Sequence, residues 1–420
     1  MSQQVPDTGT QDAVPARTGR ITGVDAARAL AVFGMFTVHL GVGSIGLLDG
    51  TAAEAFHQLT RGRSSALFAF LAGVSLALMS GHLAPLSGDP LYRVGMRVLV
   101  RAVVLALLGG LLDLLDAPIA IILTYYGGFF LLALPLLRLR APALAAVAAG
   151  VAALGPQVSF LVRSAMGEPG YSAGSIGGVS DFLITGYYPA CTFMAFVVAG
   201  MAVGRMDLRS TAVRVRAAAV GLGLVLLGYG GSWLLMYPLG GIDRLLAVEI
   251  EAFYGSAELP ASDPAAMEPL RQWMAEQINA LHGEVPTSSP LWLLVASPHS
   301  GTTFEIAGAV GTALLVLTAC LVLADLLGDG LYPLTAAGSM ALTVYVGHVV
   351  VIALIGASAD QSAPFRLELF VAGALVLAAL WHLILGRGPL ERVLGRLART
   401  GADLVVPPDP RPGPSPGPRA

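Results

Sequence analysis

Ten apolar runs, each close to the length that crosses a bilayer, recur along the chain and limit its fold more than any other feature. They lie at roughly 24–48, 64–86, 95–115, 117–137, 142–162, 181–204, 217–239, 303–327, 333–357 and 366–385. A spanning helix needs about 20 mostly apolar residues. Hydrocarbon offers backbone amides no outside partner, so each run must satisfy its own hydrogen bonds as a helix. The runs 95–115 and 117–137 are parted only by Asp113, Asp116 and Pro118, the narrowest break in the series. The expected fold is an all-α, polytopic integral membrane bundle of about ten transmembrane helices. Composition agrees. The chain is 55% hydrophobic and 12% charged, where a soluble domain carries about 25% charged residues. That excludes disorder and argues against a soluble enzyme. The net charge of −3 gives no reason to expect a nucleic-acid partner. Cys191 and Cys320 sit in apolar runs and read as inert core thiols. Residues 1–20 are polar and the first run is too long for a signal h-region, so no cleavable signal peptide is expected.

All 24 basic residues are arginine, and their placement sets an expected orientation. With the N-terminus in the cytoplasm, inner loops carry Arg93, Arg97, Arg101, Arg138, Arg140, Arg205, Arg209, Arg214 and Arg216, and the C-terminal tail adds Arg387, Arg392, Arg396 and Arg399. Outer loops carry only Arg61, Arg63, Arg163, Arg244, Arg271 and Arg366. This positive-inside asymmetry predicts an N-in, C-in protein of a cell (plasma) membrane, with a bacterial origin suggested.

The domain boundaries follow. A polar cytoplasmic tail, 1–20, precedes an N-terminal bundle of about seven helices, 21–239. An acidic outer loop, 240–302, has helical spacing near 264–282. A C-terminal bundle of about three helices, 303–386, leads to a cytoplasmic tail, 387–420, Pro-rich and expected to be disordered from about 406. Small residues at Gly221-x-Gly223, Gly228-x-Gly230-Gly231 and Ala199-Gly200-x-x-x-Gly204 predict close helix packing.

Ionisable groups at membrane depth cost about 2.5–3.5 kcal/mol on the insertion scale, so those retained there are functional candidates. In the first run Asp25 and Arg28 can pair one turn apart. His39 follows Arg28 by eleven residues, close to three turns, which puts both on one helix face about 16 Å apart. A cation at the inner mouth could hold an anionic donor, and a buried neutral imidazole could take a proton from an acceptor entering from outside. A snorkelling arginine and a structural histidine fit the same spacing. His57, Arg61 and Arg63 lie in the first outer loop, where the arginines could bind an anionic or polyhydroxyl acceptor or simply anchor the next helix. His348 falls in mid-membrane, either structural or lining the same cavity. His299, six residues before Glu305, could converge with it at the outer mouth. His382 reads as interfacial, and His82 carries no assigned role. No phosphate-loop, dinucleotide-glycine, paired-histidine zinc or nucleophile-elbow pattern occurs, so no metal is implied.

Several of these residues carry a resemblance. Val24-Asp25-Ala-Ala-Arg28-Ala-Leu-Ala-Val-Phe-Gly-Met-Phe and Pro333-Leu-Thr-Ala-Ala-Gly338-Ser-Met340-Ala-Leu-Thr-Val-Tyr345-Val-Gly-His348 resemble the lysosomal heparan-alpha-glucosaminide N-acetyltransferase family. Trp381 and Gly388-Pro389-Leu390-Glu391 are similar to the end of a bacterial membrane domain of unassigned function in the same superfamily. Arg28 with ten residues to His39 is similar to the acyltransferase-3 pattern of polysaccharide O-acetylases.

The resemblance implies a transmembrane acyltransferase that uses cytosolic acetyl-CoA as co-substrate. It would modify a sugar hydroxyl or amine, or another small acceptor, on the opposite face. By the acyltransferase-3 pattern His39 is the base and Arg28 its donor-side partner. By the lysosomal pattern the active histidine lies in the following loop, where His57 stands. His348 would serve the donor side, and Arg61, Arg63 and His299 the acceptor side. The implied partners are the bilayer, a coenzyme A thioester and a carbohydrate or small-molecule acceptor; a homodimer stays open. Two other readings also stay open. One is a transporter of a small anionic or sugar-like solute with His39 and His348 in proton coupling; the other is a non-enzymatic scaffold.

Overall fold

The computed structural model describes residues 20–167, 178–254, 264–355 and 363–405. Among them every regular element is helical. The chain runs through α1 (Thr22–Leu40), α2 (Gly50–Thr60), α3 (Arg63–Met79), α4 (Gly88–Asp113), α5 (Leu123–Ala133), α6 (Ala141–Met166), α7 (Ala190–Gly204) and α8 (Thr211–Val225). It continues through α9 (Gly231–Met236), α10 (Gly241–Tyr254), α11 (Pro264–Asn279), α12 (Thr303–Leu327), α13 (Tyr332–Ser339), α14 (Ala341–Ile355), α15 (Arg366–Leu385) and α16 (Pro389–Val405). Among the described residues seven helical stretches are long and apolar enough to cross a membrane, and three shorter apolar helices stand with them. This is a multi-pass, all-α protein.

A helix that is apolar all round is either enclosed by others or faces lipid, and both kinds occur. α1 is enclosed: it packs against α3, α12, α13 and α15, and most of its residues are buried. α7 is enclosed between α3 and α6. By contrast α4, α6, α8 and α15 turn Leu107, Leu111, Leu154, Leu222 and Leu377 outward, as expected of a lipid-facing ring. Close approach between inner helices depends on missing side chains. A Cβ on Gly200 would strike the Phe70 carbonyl, and one on Gly338 would strike the carbonyl of Asp25. Gly228 lies as closely against Phe304 and Gly308, whereas Gly223 and Gly230 meet nothing.

The structure departs from the sequence expectation in five places. The run 117–137 is helical only from Leu123, and 181–204 forms its α-helix only from Ala190. Residues 117–121 and Tyr187-Tyr188 are among the walls of a cavity instead; irregular backbone at membrane depth is tolerated where it lines such a space. The run 333–357 is broken at Met340 into α13 and α14. There the Glu391 carboxylate accepts the Thr343 N–H at 3.0 Å and the Thr343 hydroxyl at 2.5 Å, satisfying an otherwise open first turn of α14. Residues 240–302 are more than a loop: α10, α11 and Pro290–Leu294 enclose a separate core of Leu245, Leu246, Met274 and Trp292. Finally, 389–405 forms α16, which packs on α4. The Pro-rich stretch 406–420 lies outside the described residues.

Candidate functional site

His39 stands at the last turn of α1, which Gly41 ends at φ +78°. Its Nδ1 lies 2.9 Å from Nε2 of His348 on α14. The two rings are nearly parallel, 10° apart with centroids 5.2 Å apart. His348 is 4% exposed, with the Phe36 ring tilted against it at 4.6 Å and Tyr345 edge-on at 5.0 Å. Its Nδ1 is buried with no hydrogen-bond partner.

His39 also forms part of the wall of a cavity of about 500 Å³. Met35 and Val38 flank it on α1, with Thr60, Gly62, Ser64 and Ser65 from the α2–α3 turn, Asp113 and Asp116 from the end of α4, and Tyr187, Tyr188 and His299 opposite. Ser64 and Ser65 donate their hydroxyls back to Thr60 and Gly62 carbonyls at 2.8 Å, which leaves oxygen lone pairs for a ligand. The sequence expectation placed His348 on this wall; the structure places it behind His39, off the wall.

His299 arrives by a strained loop. It is a non-glycine residue at φ +62°, a conformation that costs about 1–3 kcal/mol and persists only where the surroundings enforce it. Glu305, in the first turn of α12 and 6% exposed, supplies that enforcement. Its carboxylate accepts the His299 N–H at 2.8 Å and the Gly301 N–H at 2.6 Å. The His299 carbonyl in turn accepts the Gly283 N–H at 2.6 Å. Tyr187 and Tyr188 meet the imidazole edge-on at 5.3 and 5.9 Å. Thus His299 and Glu305 do converge, but through the backbone. Burial, with the Arg61, His282 and His39 charges adding, pushes the His299 imidazole down to about 3.

A histidine whose folded-state value lies below its unfolded one is a liability only in acid. Above pH 6.5 both states hold it neutral; as pH falls from 6.5 toward 3 the unfolded state takes the proton and the folded state does not. The margin by which wild type exceeds His299→Asn in thermal unfolding should therefore be widest at pH 7 and above and shrink as pH falls to 5. A margin independent of pH contradicts a neutral, enclosed His299.

The remaining candidates are dispersed. His57 lies near the end of α2, off the cavity wall, with Nδ1 buried and unpartnered. Arg61 lies off the wall as well, close enough to act electrostatically on His57, His282 and His299. Arg63 does not reach the cavity. It lies over the Tyr229 ring at 4.5 Å, donates to the Tyr229 hydroxyl at 3.0 Å and to the Gln58 carbonyl at 2.8 Å, and so fixes the α2–α3 turn. Arg28 pairs with Asp25 at 2.5 Å and donates to Ser75 Oγ at 2.8 Å, at the other end of α1. The wall stops at Met35, seven residues short of Arg28, or about 10 Å of helix. The sequence does not single out Tyr187 and Tyr188, which fall inside the apolar run 181–204, or His282, which follows α11 in the acidic segment. Asp113 and Asp116 were visible as charges breaking an apolar run, yet were read only as a boundary.

The sequence pattern of the family described as heparan-alpha-glucosaminide N-acetyltransferase, catalytic, matches residues 20–239. No curated protein matches the chain. The family match covers α1 through α9, hence His39, His57, Arg61 and the two tyrosines, while His299, Glu305 and His348 come from beyond it. A match over more than half the sequence, with the cavity built largely from that portion, makes the chain a member of the heparan-alpha-glucosaminide N-acetyltransferase catalytic family.

Proposed function

We propose that the protein moves an acetyl group from cytosolic acetyl-CoA to an amine or hydroxyl of a sugar-like acceptor at the outer face of a plasma membrane. The chain is oriented N-in and C-in. The observation that carries this reading is the pairing of His39 with His348 while the same ring faces the cavity. One of the two facing nitrogens must donate. With the proton on His39 Nδ1, Nε2 of His39 keeps its lone pair for the acceptor, and His348 fixes both tautomer and ring plane.

The acceptor N–H or O–H proton passes to His39 Nε2 as its nitrogen or oxygen bonds to the thioester carbonyl carbon. The carbon–sulfur bond breaks, and the thiolate leaving group takes the proton back from His39 Nε2, which restores the neutral base. Asp113 and Asp116, with the serine oxygens, orient the acceptor, and His299 and the two tyrosines close the far wall. Arg28 serves the donor from the inner end. Because the cavity stops at Met35, the thioester reaches His39 only if α1 and its neighbours part along about two turns.

The test is thiol release from acetyl-CoA by purified protein in proteoliposomes, coupled to acetylation of an added amino sugar. Solute uptake without thiol release overturns the proposal in favour of transport.

Glu305 is a positioning residue in this scheme. Glu305→Gln presents one acceptor and one donor to two backbone N–H groups, so one is left facing an N–H of its own kind. The expected result is acceptor KM raised about tenfold or more with donor KM unchanged, an effect of the size that one lost charge-assisted bond gives. Equal shifts in both constants contradict it.

A further inference from the structure

The inner ends of α4 and α16 gather arginines that no acid balances. Arg97 and Arg101 lie one turn apart on α4. Arg387 and Arg399, before and on α16, come within electrostatic reach of Arg101. Among the described residues none of these four forms an ion pair. The Nε atoms of Arg97 and Arg101 are buried with no hydrogen-bond partner. The acceptor facing Arg101 Nη1 is the Met79 sulfur at 2.6 Å, a weak acceptor that does not satisfy a guanidinium.

Packing holds the cluster together. Ala398 and Ala402 of α16 are buried, and Gly401 between them lies so close to Val100 that a Cβ would approach its methyl at 2.7 Å. Arg399 is therefore delivered beside Arg101 by a tight helix contact, not by a loose tail. Met79 is one turn beyond Ser75 on α3, and Ser75 is the partner of Arg28. Arg101 and Arg28 thus address the same face of α3 from two sides.

Positive-inside placement explains why arginines lie at this end, but not why several converge with buried, empty donors. Like charges brought together and partly desolvated need an anion, and the forked guanidinium suits phosphate oxygens. We infer that Arg97, Arg101, Arg387 and Arg399 form a phosphate-binding site between α4 and α16. The ligand is a phosphate-bearing anion, either the 3′-phosphate end of a coenzyme A donor or an anionic phospholipid headgroup. The first source rests on the acetyltransferase reading and the second does not. α16 lies outside the matched family segment.

The experiment uses full-length protein purified in neutral detergent. Binding of coenzyme A and 3′-dephospho-coenzyme A is measured by calorimetry, and thermal unfolding is compared in phosphatidylglycerol and phosphatidylcholine nanodiscs. The variants are Arg101→Gln/Arg399→Gln and, because Arg399 is exposed, Arg399→Gln alone, which spares the fold. Arg244→Gln, at an exposed arginine on α10, is the control. If the donor is the source, wild type binds coenzyme A about tenfold or more tighter than the dephospho form. Both cluster variants reduce that ratio and the control keeps it. If lipid is the source, the two nucleotides bind alike or not at all, and phosphatidylglycerol raises the unfolding midpoint of wild type and control but less for the cluster variants. The lipid result without thiol release leaves this site standing while the acetyltransferase reading fails. No phosphate-dependent difference between wild type and variants in either arm overturns the inference.

Discussion

Replacing His39 with alanine is expected to lower acetyl transfer by about 10²–10⁴, the range that a positioned general base supplies. That equals about 3–5 kcal/mol of barrier. The argument has two parts. His39 is the histidine that both faces the cavity and holds a hydrogen-bonded ring partner, so it has access to substrate and a fixed tautomer. His57 lacks the first and His348 lacks it too. Alanine, however, also strands His348 Nε2 in an apolar pocket, a cost of about 1–3 kcal/mol to folding. His39→Asn separates the effects, since its amide can still pair with His348 but cannot accept a proton at neutral pH. The asparagine variant should match wild type in unfolding midpoint and fall with alanine in rate. His348→Ala should lose less than His39→Asn, because it loosens the base without removing it. An active His39→Asn protein combined with an inactive His57→Ala protein would overturn this assignment and move the base to the outer turn. Thiol release in the absence of acceptor should fall in parallel wherever water replaces the acceptor at the same base.

What could be read from the sequence divides along a physical line. Apolar runs of bilayer length are dictated by the solvent, so each of the ten overlaps an apolar helical stretch. The Asp25–Arg28 pair and the face shared by Arg28 and His39 are local consequences of helix pitch, and the pair forms as its spacing implies. Contacts between distant segments were beyond such reasoning. Nothing in the spacing joins His39 to His348, 309 residues later. Nor does it show Glu305 turning back to hold the His299 backbone. Hydropathy also overstated two runs, since Ile119, Ala120 and Tyr188 are apolar for enclosure and not for helix formation. Arg63 illustrates the same limit for charge: its outer position suggested an acceptor contact, but Tyr229 and the Gln58 carbonyl occupy it. Tail residues 389–405 lacked a long apolar run, yet α16 has apolar and small residues on one face and arginines on the other, enough to dock without spanning.

Arg205→Ala is expected to be the most damaging single change to stability. Counted by position alone, Arg205 is one more inner-loop arginine. In the structure it is 4% exposed and ends α7. Its Nη1 donates to the carbonyls of Ala77, Ser80 and His82 at 2.9, 3.2 and 3.1 Å. Nη2 donates to Ser80 Oγ at 2.8 Å and to the Leu137 carbonyl at 2.5 Å, and Nε reaches the Leu139 carbonyl at 3.3 Å. These acceptors are the open ends of α3 and of the segment after α5. One guanidinium thus holds the His82, Leu137 and Leu139 carbonyls, while the Ala77 and Ser80 carbonyls it also reaches accept backbone N–H groups as well, and its charge opposes two helix dipoles. Alanine would strand the His82, Leu137 and Leu139 carbonyls at about 1–3 kcal/mol each, so a loss of at least about 3 kcal/mol follows. Lysine should recover less than half of it, since a point ammonium with three donors cannot span acceptors on three sides. The measurement is the unfolding midpoint in detergent together with the yield of folded protein. Alanine should lower both sharply and lysine nearly as much. A lysine variant equal to wild type would show that charge alone, not the planar fork, joins the ends of α3, α5 and α7.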